Sequence, residues 1–170
     1  MNAVMGPDSS REQELIRLVE TYQTSLRRIS YAILRDEDLA QDAVQETFLK
    51  AYKGWDTFRG ECGEKTWLMR IAINTCRDLK RSAWFRHLDR RITPEDLPLA
   101  TSPEDERTEL TIAIMRLPEK LKEVVLLYYY QRMTTREIAQ ALDVPQSTVS
   151  TRIKRARDKL RAWLEGGESL

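Results

Sequence analysis

The stretch MTTREIAQALDVPQSTVSTRIKRARDKLR, at Met133–Arg161, contains the signals for two short helices joined by a tight turn. Thr134, followed three residues later by Glu137, has the pattern of a capping box, which predicts the start of the first helix. Asp143-Val144-Pro145 then breaks that helix. Because proline is tolerated in the first turn of a helix, the second helix can begin at Pro145 or the next residue. This order of elements predicts a helix-turn-helix.

The second helix of this pair is predicted to have one apolar and one cationic face. Its apolar residues fall at spacings of four, three and four, which places them in one stripe: Val149, Ile153, Ala156 and Leu160. Residues 148–161 carry six cations against one anion, Asp158. The side chains left facing outward are Gln146, Ser147, Ser150, Thr151, Lys154 and Arg155. A helix of this kind fits the major groove of DNA.

The composition predicts a soluble, folded chain. Its 170 residues, 41% apolar and 32% charged, suit one medium domain or two small ones. The net charge is only +1, but acidic and basic residues are concentrated in different segments of the chain. Residues 36–46 hold five acids and no cation, whereas residues 65–91 hold eight cations against two acids. Clustered charges create local fields that the net charge does not reveal, so one surface is expected to be acidic and others basic.

The cysteines, the single histidine and the apolar segments of the chain argue against several classes of protein. Cys62 and Cys76 lack metal-ligand spacing, and the single His87 has no nearby partner, so zinc binding and Ser-His or Cys-His chemistry are not expected. We also expect no cofactor and no other metal site. Cysteine usage of this kind is typical of a reduced, cytoplasmic setting. The N-terminus has no apolar core of signal-peptide length, and no window reaches eighteen uninterrupted apolar residues. The chain is therefore expected to be neither exported nor membrane-spanning.

Helical periodicity predicts three helices in the first half of the chain. The first is capped by a box at Ser10 and Gln13 and runs to about Leu34. The second covers 36–53, with Leu39, Ala43, Val44, Phe48 and Ala51 inward and Asp42, Gln45, Glu46 and Lys50 outward. A glycine-punctuated loop follows, and Thr66 can cap a third helix to about Ser82. Its predicted buried side is Trp67, Leu68, Ile71, Ala72, Cys76 and Leu79, with Trp67 in the core rather than serving as a stacking platform.

Periodicity fades between the two halves, where prolines lie among acidic residues. The prediction is an all-α chain of two small helical domains, 10–82 and 107–165, joined by a flexible linker at 83–106 that is acidic in its second half. The C-terminal domain contains the helix-turn-helix. Its helical signal begins near Arg107 and breaks at Leu117-Pro118.

Three motifs in this order resemble the small, extracytoplasmic-function sigma factors of bacterial RNA polymerase. DEDLAQDAVQETFLKAY at 36–52 is similar to the segment that docks on the clamp helices of the β′ subunit. TFRGECGEKTWLMRIAINTCRDLKR at 57–81 resembles the loop and helix that open the promoter −10 element. Residues 117–160 resemble the domain that reads the −35 element. Ser147 departs from the common pattern, since many relatives carry glycine there, and serine caps and bonds phosphate well.

The resemblance implies partners and residue roles. The partners are core RNA polymerase, through the β′ clamp helices and the β flap, promoter DNA and an anti-sigma factor, with no small-molecule substrate and no catalysis. The implied docking residues are Asp42, Gln45, Glu46 and Phe48. Those for −10 recognition and melting are Phe58, Arg59, Lys65, Arg70, Asn74 and Arg77. Those for the −35 element are Gln146, Ser147, Ser150, Thr151, Arg152, Lys154, Arg155 and Arg157. Arg155 is the expected reader of guanine, whereas Arg152 and Arg157 are expected to hold phosphates.

Other interpretations stay open at this point. The acidic face of 36–52 is also consistent with a solvated helix surface, and any one cation of the last helix with a merely solvated position. An ordinary helix-turn-helix regulator would leave the first two motifs unexplained. A third hypothesis is a helical interaction module or a nucleic-acid-processing enzyme that uses the acidic cluster for Mg²⁺. It is disfavoured because the carboxylates at 36–46 lie together on one helix. Trp84-Phe85 could contact DNA, polymerase or a membrane, or fold back on the first domain. Residues 126–130 cannot all be buried on one helix, and those left outside could meet the β flap.

Overall fold

The structure, a computed structural model, describes the backbone of residues 7–86 and 105–166 and the side chains of 9–83 and 109–166. Within those ranges every element is helical, which confirms the predicted all-α class. The helices are α1 (Pro7–Leu34), α2 (Glu37–Gly54), a 3₁₀ turn (Trp55–Thr57), α3 (Glu64–Arg86), α4 (Asp105–Arg116), α5 (Glu119–Val125), a π-helical turn (Leu126–Tyr130), α6 (Thr135–Leu142) and α7 (Gln146–Gly166).

The chain divides into two compact units, Met1–Ala83 and Trp84–Leu170. The predicted linker at 83–106 falls largely outside the described residues, so its boundaries stay a prediction. The side chains of Trp84 and Phe85 also lie outside them.

In the first unit, α1 and α2 form a helical hairpin with a two-residue connection. Arg35 takes a left-handed backbone conformation, with φ 55°, which turns the chain. Asp36 then caps α2, since its Oδ1 accepts a hydrogen bond from the Leu39 N–H at 2.9 Å. Both helices bury apolar faces: Leu18, Leu26, Ile29 and Ile33 of α1, and Ala40, Ala43, Val44, Phe48 and Ala51 of α2. The prediction of α2 is confirmed to within one residue at each end.

The predicted start of α1 is wrong. The helix begins at Pro7, so Ser10 lies within its first turns and does not cap it. Proline is favoured at the first helical position because its fixed φ suits the helix and its missing N–H would be unsatisfied there anyway. The preference of proline for the first helical position therefore indicates the start of α1 better than the capping-box pattern at Ser10 does.

The predictions for α3 need three corrections. The helix begins at Glu64, where the Gly63 carbonyl accepts a bond from the Trp67 N–H at 3.0 Å, so Thr66 is not its cap. It continues through Arg86, because no glycine or proline interrupts residues 82–86. Its fully buried stripe is also rotated from the predicted one: Leu68, Met69, Ala72, Ile73 and Cys76 are buried, while Trp67, Ile71 and Leu79 are only half-buried.

In the second unit, α4, α5 and α7 share a hydrophobic core. Ile114, Leu117, Leu121, Val125 and Ala156 are its buried members, and Leu160 and Trp163 pack against it from the outer part of α7. Pro118 separates α4 from α5, as predicted, and its carbonyl accepts from the Leu121 and Lys122 N–H groups at 2.9 Å each. This core presents α6 and the first half of α7 at one side of the unit.

A π-helical turn divides the apolar and aromatic run that follows α5. Leu126 and Leu127 are buried, whereas Tyr128, Tyr129 and Tyr130 are 37%, 47% and 57% exposed. The wider turn is marked by the Gln131 N–H, which donates to the Leu126 carbonyl at 3.1 Å. The run therefore splits after its second leucine. The three tyrosines are exposed, and the rings of Tyr128 and Tyr129 contact each other with centroids 4.9 Å apart.

Ser30 supplies a test of the core of the first unit. Its hydroxyl is buried on α1 and has no hydrogen-bond partner among the described residues. Burying an unsatisfied hydroxyl costs free energy, and alanine is also the better helix former. We expect Ser30→Ala to raise the free energy of unfolding by about 1 kcal/mol in urea denaturation. Ser25→Ala, a half-buried neighbour on α1, isolates the helix-propensity part of that gain. A destabilised Ser30→Ala would contradict the prediction.

Candidate nucleic-acid interface

The helix-turn-helix is held by short-range hydrogen bonds. Thr134 Oγ1 accepts from the Glu137 N–H at 3.2 Å, and Glu137 Oε2 accepts from the Thr134 N–H at 2.7 Å, so the predicted capping box is confirmed. Asp143 ends α6 in the left-handed conformation, with φ 53°, a position that aspartate tolerates better than most residues. The Pro145 carbonyl then accepts from Thr148 and starts α7. These contacts fix where the second helix begins.

The apolar and polar faces of α7 lie as the sequence predicts. Val149, Ile153 and Ala156 are buried, and Leu160 is half-buried. The residues predicted to face the −35 element are exposed along the opposite side, except for Arg152, which is half-buried: Gln146, Ser147, Ser150, Thr151, Lys154, Arg155 and Arg157. The structure therefore brings these side chains to one accessible surface of α7, defined here as the cationic face.

Three polar side chains of the cationic face already have internal partners. Gln146 Nε2 donates to Thr135 Oγ1 at 2.8 Å and thereby connects α7 to α6. The Ser150 hydroxyl donates to the Gln146 carbonyl at 3.2 Å, and the Thr151 hydroxyl to the Ser147 carbonyl at 2.9 Å. With their protons used in this way, both hydroxyls offer lone pairs to a ligand.

A second candidate surface follows the loop 58–63 and the polar side of α3. Arg59 and Asn74 are exposed, and Lys65, Arg70 and Arg77 are half-buried cations on the same helix or at its start. The helix thus carries a cationic, hydrogen-bonding side next to the loop. That combination suits the phosphates and base edges of a nucleic-acid strand.

Phe58 is packed against other aromatic rings, and its role in −10 recognition stays a prediction. Its ring stacks on Trp67, with centroids 4.7 Å apart and planes 22° apart, and Trp55 completes the cluster at 5.9 Å from Trp67. All three rings are half-buried. Phe58 therefore anchors the start of the loop rather than standing free in it. The prediction that Trp67 lies in the core is confirmed only in part, because its ring is half-buried and stacks on Phe58 of the loop. Sequence reasoning missed this aromatic cluster because its members lie on three different elements.

A third surface is the exposed side of α2, where Asp42, Gln45 and Glu46 fall on one helix face. Asp42 and Gln45 are exposed, whereas Glu46 is half-buried and pairs with Lys50 at 2.8 Å. Lys50 Nζ also donates to Thr75 Oγ1 of α3 at 3.1 Å. Glu46 is therefore part of the contact between α2 and α3 as well as of the acidic face.

Phe48 does not belong to that exposed side. It is 7% exposed and packs in the core, as its place on the apolar stripe requires, so it cannot offer the apolar contact expected of a docking residue. Leu49 is 57% exposed and follows Asp42 by seven residues, which places both on the same face of the helix. The acidic face of α2 is accordingly Asp42, Gln45, Glu46 and Leu49.

A charged cluster joins α1 to the beginning of α3. Arg17 donates to both carboxylate oxygens of Glu64, with an Nη1 to Oε1 distance of 3.1 Å, and its Nε donates to Glu14 at 2.9 Å. The hydrogen bond from Arg17 holds the pKa of Glu64 below its usual value, and the pKa of the Arg17 guanidinium is raised by the same partner. Burial, followed by the Glu64 charge, raises the pKa of Tyr22 beside them. Glu64 is thus ionised and Tyr22 neutral near pH 7.

This cluster predicts acid sensitivity. A carboxyl whose pKa is lowered by folding stabilises the fold above its unfolded pKa of about 4.3, and that stabilisation is lost as pH falls through the folded value. The wild type should therefore exceed Glu64→Gln in unfolding free energy at pH 7, by less than about 1 kcal/mol because the pair is partly exposed. Urea denaturation of both proteins at pH 7 and near pH 3 should show the difference shrinking. A difference that is independent of pH would contradict this account.

Two further observations concern the described ranges alone. None of their helices combines the length and the apolar character that crossing a bilayer requires. Nor do they contain a group of three or more histidine, cysteine, aspartate or glutamate side chains arranged to hold a metal ion.

Comparison with protein families gives two matches that follow one another along the chain. Residues 18–86 match the model described as sigma-70 region 2. Residues 107–160 match the model described as sigma-70 region 4. The first match contains α2, the loop and α3, and the second contains the helix-turn-helix.

Full-length relatives agree with these matches. The chain is 34% identical over 163 residues to the RNA polymerase sigma-H factor of Pseudomonas aeruginosa, covering 87% of this chain and 84% of the relative. It is 31% identical over 162 residues to the ECF RNA polymerase sigma factor SigW of Bacillus subtilis, covering 86% and 87%.

Solved structures share the fold. CnrH, solved in complex with the cytosolic domain of CnrY, superposes with a TM-score of 0.70 at 28% identity, covering 93% of this chain and 91% of CnrH. The sigma factor RpoE of Bartonella quintana, solved in complex with the anti-sigma factor NepR, gives a TM-score of 0.72 at 23% identity, covering 91% and 96%.

Proposed function

Because the chain belongs to the sigma-70 family, in its extracytoplasmic-function group, we propose a specific division of its surfaces within the work of an alternative sigma factor. Proteins of this kind direct core RNA polymerase to promoters and are transcription regulators. The proposal concerns which residues perform each step. Residues 10–82 act as the domain for polymerase docking and −10 melting, 83–106 as the linker, and 107–165 as the −35 domain.

The acidic face of α2 is proposed to bind the clamp helices of the β′ subunit. Asp42 supplies an exposed negative charge for electrostatic steering, and Leu49 supplies the apolar area that holds the complex. Glu46 contributes charge but is also held by Lys50, so its substitution would disturb α2 and α3 together. Asp42 is therefore the cleanest single site at which to test docking.

The loop 58–63 and the polar side of α3 are proposed to capture the unpaired −10 strand. Removing a base from the duplex costs a few kcal/mol, which contacts to that base and its strand must offset. Asn74 is exposed and suited to a base or sugar edge, while Lys65, Arg70 and Arg77 supply positive charge along the helix. Phe58 takes the supporting role that its stacking on Trp67 allows.

The cationic face of α7 is proposed to read the −35 element in the major groove. Arg155 is exposed and can form a bidentate pair with guanine O6 and N7. Arg152 and Arg157 are assigned to phosphates, and Gln146, Ser147, Ser150, Thr151 and Lys154 complete the contact surface. The observation that carries this assignment is the separation of this face from the buried stripe of the same helix.

Two further protein partners are proposed, the β flap of the polymerase and an anti-sigma factor. The exposed tyrosines of the π-helical turn are suited to the β flap, since aromatic side chains bury large areas at interfaces. An anti-sigma factor is a further proposed partner, because CnrH was solved with the cytosolic domain of CnrY and RpoE with NepR. Such a partner would hold the chain inactive in the cytoplasm or, if itself anchored, at the membrane.

Multi-round transcription from candidate promoters tests the proposal. Purified core polymerase should produce promoter-specific transcripts only when this chain is added. A helix-turn-helix regulator that acts without polymerase would instead bind the same duplexes equally well with and without the core enzyme. Failure of the chain to associate with core polymerase would refute the proposed surfaces, whatever its affinity for duplex DNA.

A further inference from the structure

Two arginines of α1 reach the two ends of the loop 58–63. Arg11 donates to the Asp56 carboxylate in the 3₁₀ turn that precedes the loop. Arg17 donates to the Glu64 carboxylate in the residue that immediately follows it. The loop therefore begins and ends at residues that are attached to the same helix, although α1 lies 45 and 47 residues away in sequence.

Each anchor is part of a small network rather than an isolated ion pair. The guanidinium carbon of Arg11 lies 5.7 Å from the centre of the Tyr52 ring, within range of a cation–π contact. Arg17 is held by Glu14 as well as by Glu64, and Tyr22 also bonds the Glu64 carboxylate. A side chain already ordered by one partner loses less entropy on binding a second, so networks hold geometry better than single exposed pairs do.

Between the anchors, the loop begins with the Phe58 ring stacked on Trp67, and its tip is exposed. Thr57 Oγ1 donates to the Gly54 carbonyl at 2.7 Å at its beginning, while Arg59, Gly60 and Glu61 are exposed. Gly60 has φ +72°, and a Cβ there would meet no atom within 4 Å. The tip at 59–61 therefore depends on how the two ends of the loop are held, by the stack of Phe58 on Trp67 and by the two ion pairs with α1.

We propose that Arg11 and Arg17 are positioning residues for recognition of the unpaired −10 strand, since they hold the loop in the conformation that accepts a base. This inference rests on the function proposed above for the loop. The affinity for a ligand falls in proportion to the population of the competent conformation. Releasing either end should lower that population, and it should reduce discrimination between bases because displaced conformations lack the correct contacts.

The experiment uses full-length protein in holoenzyme with core polymerase. Fluorescent single-stranded oligonucleotides carry the −10 non-template sequence of a promoter identified by the transcription assay, with each base replaced in turn. For Arg11→Gln and Arg17→Gln, we expect the affinity ratio between the original base and its replacement at the captured position to fall about fivefold. Core binding and retention of −35 duplex should stay at wild-type levels, because both arginines lie outside those surfaces.

Two comparisons separate positioning from general effects of charge or folding. Arg28→Gln removes an exposed arginine of the same helix that has no ion-pair or hydrogen-bond partner among the described residues, and it should leave the base preference unchanged. A double-mutant cycle combines Arg17→Gln with Glu64→Gln. The double variant should lose about fivefold in base preference, as each single variant does, because both substitutions remove the same contact. Independent effects would multiply to a loss of about twenty-five-fold. Arg17→Lys, which keeps the charge, should recover part of the preference.

The possible results lead to different conclusions. Wild-type base preference in both Arg11→Gln and Arg17→Gln would overturn the inference, as would an additive cycle or an equal loss in Arg28→Gln. The proposed function would survive all three of these results. A wild-type holoenzyme that binds the −10 strand without any base preference would instead overturn the proposed function of the loop and this inference with it.

Discussion

Asp42→Arg is expected to lower the affinity of the chain for core polymerase by roughly a hundredfold and to remove promoter-specific transcription. The substitution reverses the exposed charge at the N-terminal end of the acidic face of α2. Electrostatic docking of the acidic face implies a positively charged partner surface, which the introduced arginine would repel. Placing like charges together at an interface costs several kcal/mol, and about 2.7 kcal/mol corresponds to a hundredfold change in affinity. Core binding can be measured by fluorescence anisotropy of the labelled chain, and transcription in the multi-round assay.

Matched variants test the reason for that loss. Glu20→Arg makes the same charge reversal at an exposed position of α1 and should leave core binding unchanged. Leu49→Ala should weaken core binding without destabilising the fold, because that side chain is 57% exposed. Phe48→Ala should do the opposite and lower the unfolding free energy by about 3 kcal/mol, as expected for a buried aromatic residue. Normal core binding by Asp42→Arg would refute the docking surface.

Arg155→Ala is expected to relax sequence preference at one position of the −35 element by about 1–3 kcal/mol. Arg155 is exposed on the cationic face of α7 and has no ion-pair or hydrogen-bond partner among the described residues. Its loss should therefore remove a contact with DNA without disturbing the helix. Competition binding of holoenzyme to duplexes with single substitutions across the −35 element measures the preference at every position.

Arg157→Ala should behave differently, although it lies only two residues away. A phosphate contact carries no sequence information, so binding should weaken evenly across all duplexes. The slope of the logarithm of the binding constant against the logarithm of salt concentration should also become shallower by about one. Arg161→Ala, at an exposed position further along α7, controls for the loss of one positive charge. Equal losses on every duplex for both Arg155→Ala and Arg157→Ala would contradict the division between base and phosphate contacts.

The two anchors on α1 and the acidic face of α2 suggest different consequences for substitutions in the first unit. Charge changes at Asp42 act on the encounter with polymerase, whereas changes at Arg11 or Arg17 act after docking, on the strand that the loop holds. The two classes should therefore be separable by measuring core binding and −10 base preference in the same protein.

Features that depend on neighbours within one or two helical turns could be predicted from the residues alone. The capping box at Thr134 and the buried stripe of α7 were predicted because the atoms involved are three or four residues apart. The order of the three motifs along the chain also indicated the family. These signals depend on local hydrogen bonding and on the helical period, both of which can be read from the printed sequence.

Contacts between elements could be identified only in the folded protein. The rotation of the buried stripe of α3 and the stacking of Phe58 on Trp67 both depend on how helices pack. The pairing of Arg17 with Glu64 joins residues 47 positions apart. No short-range pattern specifies such partners, because the free energy that selects them comes from burying surfaces and charges that meet only after the chain has folded.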